Sequence, residues 1–186
     1  MMPVVRINDG TFANMATIAT WFGTKTPSET IDRIVLEVME SLGLERDGEA
    51  EKETASSDGA LTFEKAPGLG YTKLIGATVA GKAVENPYWK TALLAVIGQV
   101  KAKGLTSERL ADELNIPTRI ERFEDSGFEY VESLGLSVQG QSATSAWKEM
   151  ERLAAKWQIP VTVEFRWYHS PKAQFPGKLG RLHAGG

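Results

Sequence analysis

The sequence predicts an α+β protein of two parts. A small strand–helix–helix unit comes first, and a flexible acidic linker then leads to a C-terminal α+β domain with a mainly antiparallel sheet. Three observations predict this. Val4-Val5-Arg6-Ile7-Asn8 alternates like a short strand and is followed by two amphipathic helix patterns, over 11–21 and 26–42. Residues 45–60 are polar, charged and rich in small residues. The remainder mixes helical stripes with alternating strands. The expected boundaries are 1–44, 45–70 and 71–186.

In the first unit, Phe12, Met15, Ile18, Ala19 and Phe22 give the first helix its apolar positions. Ile31, Ile34, Val35, Val38, Met39 and Leu42 give the second helix a stripe. Thr26-Pro27-Ser28-Glu29 reads as a capping box with proline at the first helical position. So short a unit cannot bury a core alone and is expected to pair with a second copy.

The linker segment cannot bury enough apolar area to offset its ordering entropy. Beyond it, residues 73–79 read as a strand with Gly81 at its exit. Asn86-Pro87 reads as a helix start, and Trp89, Leu93, Val96, Ile97 and Val100 form the stripe of that helix, which ends at Gly104. Thr106 opens a short helix with Leu110 and Leu114 inward, stopped by Pro117. Residues 119–123, 128–131 and 136–139 are short strand candidates. Residues 142–157 form an amphipathic helix with Ala146, Trp147, Met150, Leu153, Ala154 and Trp157 on one side. Val161, Val163, Phe165 and Trp167 alternate along the clearest strand. Residues 169–186 read as a basic tail rich in Gly and Pro.

Composition excludes several functions. There is no cysteine, which removes disulfides, thiolate nucleophiles and cysteine-held metals. His169 and His183 lack a recognisable catalytic partner, and no G-x-S-x-G elbow or P-loop is present. No apolar run is long enough to span a bilayer, and no signal-peptide pattern opens the chain. The expectation is a cytoplasmic protein without catalytic residues, metal or cofactor, and with no membrane partner.

The net charge of -3 is unevenly spread. Residues 1–43 carry three bases and five acids, and 44–66 three bases and seven acids. Residues 67–186 carry 15 bases and 12 acids, net +3. A cationic C-terminal face could therefore meet phosphates. Arg166-Trp167-Tyr168-His169-Ser170-Pro171-Lys172, continued by Lys178, Arg181 and His183, interleaves base with aromatics and suits backbone contact and stacking. A core Trp167 followed by a plain soluble tail is the alternative. The turn over 136–143 could offer backbone N–H groups to a phosphate, with Gln139 or Gln141 reading a base edge. A tight strand–helix turn capped by Ser142 is the alternative there. Glu121, Glu124, Asp125, Glu129 and Glu132 could suit metal-assisted phosphodiester chemistry, or form a solvated acidic face.

On its strand, paired helix patterns and capping box, the segment 3–43 resembles the ribbon-helix-helix DNA-binding family. That resemblance implies a homodimer through residues 3–43, with higher oligomers open to it, on double-stranded DNA. It implies that Val5 and Ile7 face the dimer core while Val4, Arg6 and Asn8 face the groove. It also implies that Lys25, Thr26 and Ser28, at the start of the second helix, hold a backbone phosphate. The module departs from the family in being net acidic, with Arg6 its one ribbon base. The whole chain is similar in arrangement to the SeqA family, which restrains replication initiation through a small oligomerising unit, a linker and a larger DNA-binding domain. The expected function is a DNA-binding regulator, a repressor of transcription or a controller of replication or a mobile element. A dimeric protein-interaction module and a metal-dependent nucleic-acid enzyme are the alternatives.

Overall fold

A computed structural model describes residues 6–42 and 59–186. The chain divides into two compact units, residues 1–39 and 40–186. The first holds α1 (Asp9–Phe22) and nearly all of α2 (Pro27–Leu42). Asn8 caps α1, its side chain accepting from the Thr11 N–H at 2.7 Å, so this helix starts two residues earlier than its apolar pattern suggests. Gly23, at φ 66°, ends α1 in the left-handed region that glycine enters without a Cβ penalty. Residues 6–8 precede the helix with no strand assigned, and Val4 and Val5 lie outside the described residues. A two-chain ribbon would have to draw its strand from this segment.

The second unit is an α+β domain. Its larger sheet is built from β1 (Leu61–Thr62), β2 (Thr72–Val79), β3 (Lys82–Ala83), β7 (Val161–Trp167) and β8 (Leu179–Ala184). These five strands run in the order β1-β8-β7-β2-β3, and every pairing is antiparallel except β1 with β8. A small sheet comprises β4 (Thr118–Arg119), β5 (Phe128–Val131) and β6 (Leu136–Gln139), in the order β4-β6-β5. Helix α3 (Trp89–Lys101) packs on β2, while α5 (Ala143–Trp157) packs on β7 and β8; both cover the same face of the large sheet and touch one another. Helix α4 (Ser107–Glu113) packs against α3.

The core lies between that sheet face and the helices. Along β7, Val161, Val163, Phe165 and Trp167 are buried and the residues between them are half-buried. Trp89, Leu93, Val96, Ile97 and Val100 of α3 are buried, as are Trp147, Met150 and Leu153 of α5. This follows from the two periods: alternate residues of a strand share a face, and residues three or four apart share a helix side.

Four elements differ from the sequence reading. Residues 59–70 belong to the folded unit and not to the linker. Leu61 and Thr62 pair with Gly180 and Arg181, Leu69 is buried, and Gly68 accepts a hydrogen bond from Trp167 Nε1 at 3.0 Å. The basic tail contains β8, a full member of the sheet. Helix α3 begins at Trp89, because Asn86 sits at φ 47° and turns the chain before the helix. Thr91 Oγ1 caps this helix by accepting from the Tyr88 N–H at 2.8 Å. Finally, β4 stops at Arg119; beyond it the loop is held by Ser137, which accepts from the Phe123 N–H at 2.8 Å and donates to the Glu121 carbonyl at 2.9 Å.

Candidate nucleic-acid interface

Antiparallel pairing of β2, β7 and β8 builds a cationic surface on the sheet face opposite the helices. Lys73 stands in register with Arg166, and Arg166 with Leu179. Glu164 stands next to Gly76 on one side and Arg181 on the other. Thr162 lies between Thr78 and His183. These side chains alternate with the buried ones, so Lys73, Arg166, Arg181 and His183 share the outer face.

The charges on this face are arranged unequally. Arg181 and Glu164 form an ion pair, with Nε 2.9 Å from Oε1. The pair fixes the Arg181 guanidinium and cancels one positive charge. Lys73 and Arg166 stand directly opposite one another on neighbouring strands. His183 Nδ1 lies 3.0 Å from Thr162 Oγ1, which orients the ring at the far end of the face.

Charge also segregates by layer. Residues 71–83 and 159–186, the long strands with their loops, carry six bases and one acid, net +5. Residues 84–158, the helices and the small sheet, carry nine bases and 11 acids, net -2. Three acids of the small-sheet region are engaged: Glu129 pairs with Lys90, Glu124 with Arg122 at 3.0 Å, and Glu121 with Arg119 at 3.9 Å. Among the described residues, no group of three or more His, Asp or Glu side chains could hold a metal ion.

The sequence-predicted residues fall into separate places. Arg166 and Arg181 come together on the sheet face, with Lys178 at the entry to β8 and Lys172 exposed in the preceding loop. Of the interleaved aromatics, Trp167 does not join them, while Tyr168 just beyond β7 is half-buried. Trp167 and Phe165 point to the other face and are fully buried, their rings 4.8 Å apart between centroids. A two-residue period separates Arg166 from Trp167 by construction, so no base can stack on that tryptophan.

Gln139 and Gln141 lie in the acidic layer, and their amides close the turn itself. Gln139 Nε2 donates to the Ser126 carbonyl at 3.1 Å, and Gln141 Nε2 to the Gln139 and Gly140 carbonyls at 3.0 and 3.1 Å. The Gly140 N–H is taken by the Gly127 carbonyl. Ser142 caps α5 by accepting from Ser145, so the turn has the form of a tight strand–helix connection.

In the first unit, Arg6 is exposed, while the Asn8 side chain is engaged as the α1 cap. At the start of α2, Thr26 Oγ1 accepts from the Glu29 N–H at 3.2 Å, and the Glu29 carboxylate accepts from the Lys25 N–H at 2.8 Å. That helix terminus therefore carries its own anion, which competes with a phosphate for the same positive end. Ser28 is exposed beside it.

Sequence reasoning missed Lys73. The signal for Lys73 was the alternation of β2, in which Lys73 lies between the buried Thr72 and Leu74. Its placement beside Arg166 has no local signal. The chain matches no protein-family model, no curated protein and no solved structure.

Proposed function

We propose that this chain is a homodimeric regulator that binds double-stranded DNA, with the outer face of the five-stranded sheet as its main phosphate-contacting surface. The N-terminal unit pairs two copies in this reading and brings Arg6 to the groove; the sheet face supplies the second contact. The observation that supports it best is the confinement of a +5 excess to the sheet layer of a chain whose total charge is -3. Because the β7 aromatics Phe165 and Trp167 are buried, the strand favours backbone contact over base stacking, which suits a duplex more than a single strand. Control of transcription is the use that fits best.

The test is titration of the full chain against mixed-sequence duplex at several salt concentrations. Each phosphate contact removed lowers the slope of log K against log salt by about 0.9. Lys73→Ala with Arg166→Ala is expected to flatten that slope by roughly 2 and to weaken binding on all sequences alike. Absence of binding at low salt, or an unchanged slope in the double variant, would remove the sheet face from this role. A further Arg6→Ala variant reports on the ribbon, where loss of sequence preference marks a base reader.

A further inference from the structure

Helix α3 and the small sheet enclose a cleft in the acidic layer, apart from the outer sheet face. Lys90, Leu93 and Leu94 share one side of α3, being three and four residues apart. Glu129 and Val131 share one face of β5, and Glu129 stands in register with Val138 of β6, so these three meet that helix side. Leu93 and Val138 are buried, and Leu94 and Val131 are half-buried, which makes the floor apolar. The mouth is polar. Lys90 Nζ pairs with Glu129 Oε2 across it, both side chains about half exposed. Gln139 and Gln141 complete the rim. Their amide nitrogens already donate to carbonyls of the turn, which leaves the amide oxygens as acceptors. Gly127 and Gly140 line the remaining wall without side chains.

We propose that this cleft binds a free α-amino acid with a small branched apolar side chain, of which L-valine is the type. The charges select a zwitterion. An amine alone claims Glu129 and leaves Lys90 unpaired, and a carboxylate alone does the reverse. An α-amino acid gives its ammonium to Glu129 and its carboxylate to Lys90, so one internal pair becomes two and no charge is stranded. A half-exposed ion pair contributes little to stability, so opening it costs little. The remaining ammonium protons meet the amide oxygens of Gln139 and Gln141. Size selects the side chain. The enclosed part of the cleft is about 40 Å³, room for about three water-sized groups. The three carbons of an isopropyl group fill it against the apolar floor, whereas an aromatic ring does not fit. The surrounding layer, net -2 over residues 84–158, disfavours a bare anion such as phosphate.

The test is a titration of the isotope-labelled full chain, followed through the NMR shifts of its backbone amides. The probes are L-valine, isobutylamine (valine without its carboxylate), 3-methylbutanoate (valine without its ammonium) and L-phenylalanine. L-valine is expected to give saturable shifts at Leu94, Gly127 and Gly140, with a dissociation constant on the order of 1 mM. Isobutylamine and 3-methylbutanoate should each bind at least about tenfold more weakly, and L-phenylalanine should not saturate. Lys90→Met should remove the preference for L-valine over isobutylamine, and Glu129→Gln the preference over 3-methylbutanoate. Both positions are exposed, and the spectrum itself reports whether each variant is folded. No saturable shift up to about 50 mM L-valine overturns the site. Isobutylamine or 3-methylbutanoate binding as well as L-valine, selectivity unchanged in both variants, or shifts mapping away from the cleft overturns it as a zwitterion site. None of these outcomes depends on whether the chain binds DNA.

Discussion

Glu113 shows how a single carboxylate joins two helices of the larger unit. It is the last residue of α4, and its carboxylate receives Lys156 Nζ at 2.8 Å, Trp157 Nε1 at 3.3 Å and Arg152 Nη1 at 3.3 Å, all from α5. Arg152 also holds the buried Glu149, whose other contact is the Asn115 N–H at 2.8 Å. The hydrogen bond from Lys156, aided by Trp157 and Arg152, holds the Glu113 carboxyl below its ordinary value of 4.5. A depressed folded-state value means stabilisation that is complete above the unfolded value and lost as pH falls through the folded one. Glu113→Gln is thus expected to lower unfolding free energy by about 1–2 kcal/mol at neutral pH. The gap between the two proteins should close below about pH 4.5. Urea denaturation at about pH 7 and about pH 3 checks this, and a gap that stays constant with pH would place the effect in packing and not in charge.

At the scale of elements, legibility followed periodicity. Helix α5 and strand β7 were plain because a dozen or more residues, or seven strictly alternating ones, repeat one pattern, and burial in the fold follows it. Strand β8 was obscured by Gly180, which reads locally as a breaker. Its real role is long-range: a Cβ there would lie 2.5 Å from Phe165 Cζ and 3.0 Å from Trp167 Cζ3, so the glycine makes room for the aromatic core. Strand β1 was hidden because two paired residues carry no period, and the low-complexity stretch before it set the expectation. The cation face was half legible: Arg166 and Arg181 are near in sequence, but Lys73 joins only through the pairing of β2 with β7. The misjudged linker end yields a prediction. Leu69 is 1% exposed within the core, so Leu69→Ala should cost about 2–4 kcal/mol. A change under about 0.5 kcal/mol in chemical denaturation would return residues 59–70 to the linker.

At the scale of the whole molecule, the proposed pairing of the N-terminal unit and the proposed sheet contact have separable effects on one measurable quantity. A net charge of -3 disfavours non-specific attraction to DNA, so a single sheet face, with Lys73, Arg166 and Arg181 set against Glu164, is expected to bind weakly. Pairing two copies presents two such faces to one duplex. The second contact then forms at an effective concentration set by the connection, and avidity rises by about 10²-fold or more without a new contact. Val35 is exposed on α2 of the N-terminal unit, and Val35→Asp alters no base of the sheet face. If it yields a folded monomer, its affinity for a duplex long enough for two copies should fall by about 10²-fold, and its salt slope should fall to about half that of the dimer. On a duplex too short for both faces, the dimer and the monomeric variant should bind alike. Titrations of both proteins on long and short duplexes at one salt concentration, with the slope taken on the long one, give the comparison. Equal affinity on the long duplex would mean that each face works alone, and that pairing serves something other than DNA affinity.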